Sequence, residues 1–189
     1  RGPDFIAIDG GEGGTGAAPL VFSDTVAYPF RIGFAKVFDI FYSRGLHSEI
    51  TFIGSGKLGY PDTALAAFAL GCDMVNVGRE AMMAIGCIQA QRCHTGHCPT
   101  GVATQSSWLS RGLNPSDKSV RVMNYIYALQ DEILRLCHSV GVTHPALIPE
   151  SVVEIVNQEG TAVSILNYYG LLSIDQRLQE SDFHYLESI

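Results

Sequence analysis

The sequence predicts an α/β fold: a short parallel sheet of about three β-α units, then a helical extension. Three observations carry this reading. Near-continuous apolar runs at Phe5–Asp9, Ile50–Ile53 and Asp73–Val77 read as strands. Helix-periodic stretches separate and follow them, and the order β-α-β-α-β-α is that of a parallel sheet with helical crossovers. Each strand closes in a glycine-bearing turn. Parallel order puts those turns at one edge of the sheet, the edge that carries the chemistry in α/β architectures. Three strands cannot close a barrel, and a complete (β/α)8 barrel takes about 250 residues. The chain therefore reads as the C-terminal part of a TIM-type barrel over residues 1–106, with the extension over 107–189.

Each element has a local cause. The first strand ends in Gly10-Gly11-Glu12-Gly13-Gly14-Thr15-Gly16, where glycine permits tight turns and leaves backbone N–H groups free. Pro29 opens a helix in which Phe30, Phe34, Val37, Phe38 and Phe41 recur at three- and four-residue spacing. Gly45 suits the position just past its end. The second strand ends in Gly54-Ser55-Gly56-Lys57-Leu58-Gly59. Asp62 is expected to cap a short helix through Leu65, Phe68 and Ala69, with Gly71 as its stop. The third strand leads through Gly78-Arg79-Glu80 into a helix over Ala81–Ile85. Ser106–Lys118 is polar and reads as a loop. Ser119–Val140 reads as a helix with Ile126, Leu129, Ile133, Leu136 and Cys137 on one face, and shorter helical pieces are expected at Ser151–Asn157 and Thr161–Tyr169.

Composition bounds the function. At 189 residues the chain suits one domain, and 47% hydrophobic against 16% charged residues excludes low-complexity disorder. The longest nearly apolar run, Ala64–Gly71, is far shorter than the roughly 18 residues of a membrane span. Net charge is −7 with no Lys/Arg run, which argues against nucleic acid or a membrane surface as partner. A phosphate-bearing cofactor is still compatible, because backbone N–H groups hold phosphate locally. Five cysteines, three of them within twelve residues, do not make a disulfide framework. They read as a metal site in a reducing, cytoplasmic compartment. The chain opens on Arg1 and runs straight into a strand, so we expect it to be part of a longer polypeptide.

The sharpest chemical signal is Cys87-x5-Cys93-x4-Cys98 followed by Pro99. Thiolates select iron–sulfur clusters, zinc or copper(I), and a Cys-Pro ending recurs in ferredoxin-type ligation runs. Zinc stays open, since His94 or His97 could complete a Cys3His set, and so does the plain reading of three cysteines without a metal. The second signal is a pair of basic glycine turns at successive strand ends, Ser55-Gly56-Lys57 and Gly78-Arg79. Such turns suit a phosphate, or are ordinary turns with solvated cations. The third is Glu12 within the first glycine loop, either a proton-shuttling carboxylate beside a planar cofactor or a solvated loop residue. Cys72 and Cys137 read as small core hydrophobes, and Trp108 as core or interface.

Three segments together resemble the FMN-binding synthase domain of glutamate synthase: DGGEGGTGAAP from Asp9, GSGKLGYPD from Gly54, and CIQAQRCHTGHCPTGVATQ from Cys87. The likeness is closest to stand-alone glutamate synthase domain 2 proteins and covers residues 1 to about 107. It implies a (β/α)8 barrel with FMN and a 3Fe-4S cluster. By position it makes Cys87, Cys93 and Cys98 the cluster ligands. Ser55, Gly56, Lys57, Gly78 and Arg79 fall at the FMN phosphate, and Gly13, Gly14 and Thr15 in the loop beside the flavin. Glu12 is the acid we place nearest the reacting centre. The implied reaction is hydride transfer from FMN to 2-iminoglutarate, formed from 2-oxoglutarate, with the cluster relaying electrons. The implied partners are the rest of the barrel or a subunit supplying ammonia or electrons. Other readings are a related FMN enzyme acting on another amine, and a non-catalytic half-barrel module with a structural metal.

Overall fold

A computed structural model describes residues 2–13, 18–22, 26–148 and 152–170. Strands β1 (Phe5–Asp9), β2 (Thr51–Ser55) and β3 (Met74–Asn76) form one sheet in the order β1-β2-β3. Both pairings are parallel, with Asp9 opposite Ser55 and Ser55 opposite Asn76. Helices α1 (Phe30–Tyr42) and α2 (Pro61–Leu70) make the crossovers, and α3 (Arg79–Ala84) follows β3. The described residues thus bear out the α/β class and the three parallel units.

The phenylalanine spacing of α1 works as predicted. Phe30, Phe34 and Phe38 are buried against Phe52 at the centre of β2. The Phe34 ring lies 5.4 Å from Phe30, 5.8 Å from Phe38 and 6.1 Å from Phe52. On α2 the buried residues are Ala64, Ala66, Ala67, Ala69 and Leu70, and small side chains let this helix sit close to its neighbours. Gly54 shows how tight the centre is. A Cβ there would come within 2.7 Å of both Cys72 Sγ and Phe30 Cζ. Gly71 ends α2 in the left-handed conformation at φ 109°, as glycine at that position does. Asp62 is in the first turn of α2 rather than its cap. The cap position is Tyr60, and Pro61 starts the helix.

The extension differs from expectation at two places. Helix α4 (Pro115–Ser139) starts four residues before the predicted Ser119, because the Asn114 side chain accepts the Ser116 N–H and Pro115 takes the first helical position. Its buried stripe is Leu129, Ile133 and Cys137, while Leu136 is 36% exposed. The pieces expected to be helical at Ser151–Asn157 and Thr161–Tyr169 are instead a two-stranded antiparallel hairpin and one short helix; Ser151 itself lies outside the described residues. The elements are β4 (Glu154–Val156), β5 (Ala162–Ser164) and α5 (Ile165–Tyr169). Asn157 Oδ1 accepts the N–H groups of Glu159 and Thr161, and Gly160 takes φ 77°. That turn closes a hairpin, and short β-branched runs such as Ile155-Val156 then satisfy their backbones by pairing. Helix α4 packs on α2 and α3, and its buried stripe joins the same core as Phe34 and Phe52. No helix among the described residues is long and apolar enough to cross a membrane.

Candidate functional site

Parallel pairing brings the three post-strand turns out side by side at the carboxyl edge of the sheet. The first and second are bonded to each other. Gly10 N–H donates to Ser55 O at 2.8 Å, while Gly11 N–H ties the first turn to the approach to α1 through Tyr28 O at 2.9 Å. The Glu12 carboxylate accepts the Phe30 N–H, with Oε1 at 2.9 Å and Oε2 at 2.8 Å. Pro29, at the cap of α1, offers no side-chain acceptor, so Glu12 supplies one from the preceding loop. A carboxylate is well placed there against the helix dipole. Gly13 lies on Gly56. A Cβ at Gly13 would sit 3.4 Å from Gly56 Cα, and one at Gly56 would sit 2.6 Å from Phe30 Cβ and 3.5 Å from Glu12 Cδ. Glu12, Gly13, Ser55 and Gly56 therefore form one close-packed unit. Gly14 and Thr15 lie outside the described residues.

Lys57 follows with φ 55°, a left-handed conformation that is uncommon for a non-glycine residue. Its carbonyl accepts the Thr63 hydroxyl at 3.1 Å, which ties the turn to the first helical turn of α2. Gly78 and Arg79 stand at the start of α3. Gly78 is exposed, and a Cβ there would meet nothing within 4 Å.

A contact that periodicity did not reveal braces the second turn. The Tyr125 hydroxyl of α4 donates to Gly59 O at 2.6 Å. A Cβ at Gly59 would come 2.6 Å from both Tyr125 Oη and Glu80 Cγ. Glu80 is the one buried charged residue among those described. Burial, then the charge of Glu80 and the neighbouring Tyr60, push the Tyr125 hydroxyl up to about 12. The raised value means that this contribution to stability is complete below pH ~10, the unfolded tyrosine value, and is lost as pH rises toward 12. Tyr125→Phe is expected to remove the bond, costing about 1 kcal/mol at neutral pH, and to flatten the alkaline decline. Urea unfolding at a series of pH values measures both.

The cysteine loop begins where α3 ends. Gly86 adopts φ 111° and donates its N–H to Met83 O, while Cys87 N–H reaches Met82 O. Gln89 and Gln91 then take φ 53° and 57°. Two left-handed non-glycine residues so close together store strain of the kind found at functional sites. A short 3₁₀ turn over Cys93–Thr95 ends at Gly96, φ 73°. The Thr104 hydroxyl donates back to Gly96 O, and Gly101 fits against Leu109 and Ser110, where a Cβ would clash.

Cys87, Cys93 and Cys98 line one small hollow together with Ile88, Arg92 and Pro99. Neither His94 nor His97 lines it; both are exposed, and His97 Nδ1 instead lies 2.8 Å from Thr95 O. Cys87 Sγ accepts the Gln89 N–H at 3.4 Å. Cys98 Sγ lies 3.4 Å from the Thr100 hydroxyl. Burial by its own loop pushes the Cys98 thiol up. Hydrogen bonds from the Thr100 hydroxyl and the N–H groups of Ala103, Thr100 and Val102 outweigh it and bring the thiol to about 7. A sulfur held this way favours the thiolate that a metal needs. Among the described residues no three His, Cys, Asp or Glu side chains converge on a point for a single ion. Three thiols around one hollow are a donor set of the kind that iron–sulfur clusters take. The other two cysteines are set apart: Cys72 and Cys137 are buried in the core, and burial raises both thiols.

The comparisons with known proteins cover the same stretch of the chain. The family model described as a conserved region in glutamate synthase matches residues 1–143. The chain is 39% identical over 165 residues to the glutamate synthase large subunit-like protein YerD of Bacillus subtilis, covering 87% of this chain and 31% of that one. It is 42% identical over 139 residues to the archaeal NADPH glutamate synthase of Methanocaldococcus jannaschii, covering 74% and 27%. It is 31% identical over 138 residues to the ferredoxin-dependent glutamate synthase of Pyropia yezoensis, covering 73% and 9%. The chain thus spans less than a third of the length of these relatives. The matched region takes in the sheet, all three carboxyl-edge turns and the whole cysteine loop, and on that match the chain belongs to the glutamate synthase family.

Proposed function

We propose that this chain carries the iron–sulfur ligands and part of the flavin site of a glutamate synthase-type oxidoreductase. One observation carries the reading: Cys87, Cys93 and Cys98 line one hollow, with N–H donors turned on two of the sulfurs. Family membership supports it, and so does the absence of either neighbouring histidine from the hollow. On this reading the three β-α units are the last part of a (β/α)8 barrel over 1–106, and 107–189 is its extension. When bound, FMN supplies hydride to the imine carbon of 2-iminoglutarate and the 3Fe-4S cluster supplies single electrons.

The chain's own residues hold and orient. Cys87, Cys93 and Cys98 ligate the cluster. Ser55, Gly56 and Lys57 present the second turn to the FMN phosphate, with Gly78 and Arg79 from the third. Gly13, Gly14 and Thr15 flank the flavin. Glu12 is the acid closest to the reacting centre, its carboxylate oriented by the Phe30 N–H. 2-Oxoglutarate is the proposed parent substrate. The rest of the barrel, and a subunit supplying electrons or ammonia, are the proposed partners in a cytoplasmic enzyme.

The visible spectrum of anaerobically purified protein tests this, taken before and after dithionite. A broad brown absorption that bleaches is expected, with flavin bands wherever the FMN site is complete. A colourless protein would sink the redox reading.

A further inference from the structure

A second cavity lies on the other side of Pro99 and Thr100, which line both it and the cysteine hollow. Its volume is about 620 Å³, within the roughly 300–1,000 Å³ of small-molecule sites. Arg111, Lys118 and Arg121 line it, with Trp108, Leu109 and Ile85 as apolar wall. Three of the twelve cations of a chain with net charge −7 thus share one cavity.

The heads of two of them converge. A Cβ placed on Gly86 would lie 3.7 Å from Lys118 Nζ and 4.0 Å from Arg121 Nη1. The third, Arg111, stacks its guanidinium 4.7 Å from the Trp108 ring centre, which holds it in place. Among the described residues the counter-charge is Asp117, whose carboxylate lies 3.4 Å from Lys118 Nζ and faces solvent. No carboxylate pairs with Arg111 or Arg121 among the described residues. Like charges drawn together in a concave site repel each other unless an anion enters. Two guanidinium forks and an ammonium match the oxygens of phosphate or carboxylate. The indole of Trp108 is 70% exposed at the wall, so a flat apolar surface stands beside the charges.

We infer that this cavity binds a small, multiply charged oxyanion, phosphate- or carboxylate-borne, against the outer wall of the cysteine loop. The site is separate from the carboxyl-edge turns and needs neither flavin nor cluster.

Trp108 is the single tryptophan of the chain and reports on the site directly. The test titrates inorganic pyrophosphate, citrate and ADP separately at low salt while following Trp108 emission. A saturable change is expected, weakening as sodium chloride is added. Pyrophosphate or ADP alone would assign a phosphate ligand, and citrate alone a carboxylate ligand. Arg121→Gln and Lys118→Gln should each weaken binding roughly tenfold or more. Arg135→Gln should not, because Arg135 is paired with Asp131 and Glu132 in an exposed cluster on α4. Far-ultraviolet circular dichroism confirms that each variant is folded. A non-saturating response to all three anions, or equal weakening by Arg135→Gln, would overturn the inference.

Discussion

Alanine at Cys87, Cys93 or Cys98 is expected to strip the protein of iron and of visible absorption, each substitution alone sufficing. A three-iron cluster takes one protein thiolate per iron, so no spare donor stands behind any of the three. His94 and His97 do not line the hollow and cannot substitute. Loss of an outer-shell partner commonly costs 10–100-fold in metal affinity, and loss of a first ligand should exceed about 100-fold. Cys72→Ala and Cys137→Ala are the controls. Both residues are buried in the core, and their removal should lower stability modestly while leaving the iron in place. Thr100→Val probes the next layer. It keeps the Cys98 backbone donors and removes the hydroxyl 3.4 Å from the sulfur, so it should weaken iron retention without abolishing it. Iron and sulfide analysis of anaerobically prepared variants decides the matter. If all five cysteine variants behave alike, the hollow is not the metal site.

The parts of this protein that could be read from sequence are those whose physics is local. The α1 stripe is visible because Phe30, Phe34 and Phe38 repeat within one helix, and the end of α2 because Gly71 must turn left-handed. The cysteine loop is visible because its three cysteines lie within twelve residues and share one chemistry. Other features depend on pairing across distance. Glu12 meets Phe30 across eighteen positions, and Tyr125 meets Gly59 across sixty-six. No periodicity encodes either contact. The hairpin at residues 154–164 fails for a different reason: short apolar runs serve helix or strand equally, and only the partner decides. The early start of α4 was in view as Asn114-Pro115, a cap and a first-turn proline that also resemble a loop. The cation cavity was invisible because Arg111, Lys118 and Arg121 are unremarkable in sequence and gain meaning only when folding sets two of them beside Gly86.

Phe34→Ala should be the most destabilising single change on α1 that leaves the site's own contacts intact. Phe34 is fully buried and in ring contact with Phe30, Phe38 and Phe52, so its removal leaves a cavity between helix and sheet. Phe→Ala in such a position costs roughly 3–5 kcal/mol, a large share of the roughly 5–15 kcal/mol that holds a domain together. With a urea slope of about 1–3 kcal/mol per molar, the midpoint should fall by about 1–5 M. Ile40→Ala on the same helix is the contrast, because Ile40 is 50% exposed and should change stability by no more than about 0.5 kcal/mol. Phe30→Ala is a different experiment. Its ring fills the space beside Gly54 and its Cβ borders Gly56, while its N–H anchors Glu12. That N–H survives the substitution, but the wall that positions the first two turns does not. Phe34→Ala should therefore lower the unfolding midpoint with little change in the folded protein's cofactor content. Phe30→Ala should lower both, since the side chain that closes the core under β2 is the same one on which the carboxyl-edge turns rest.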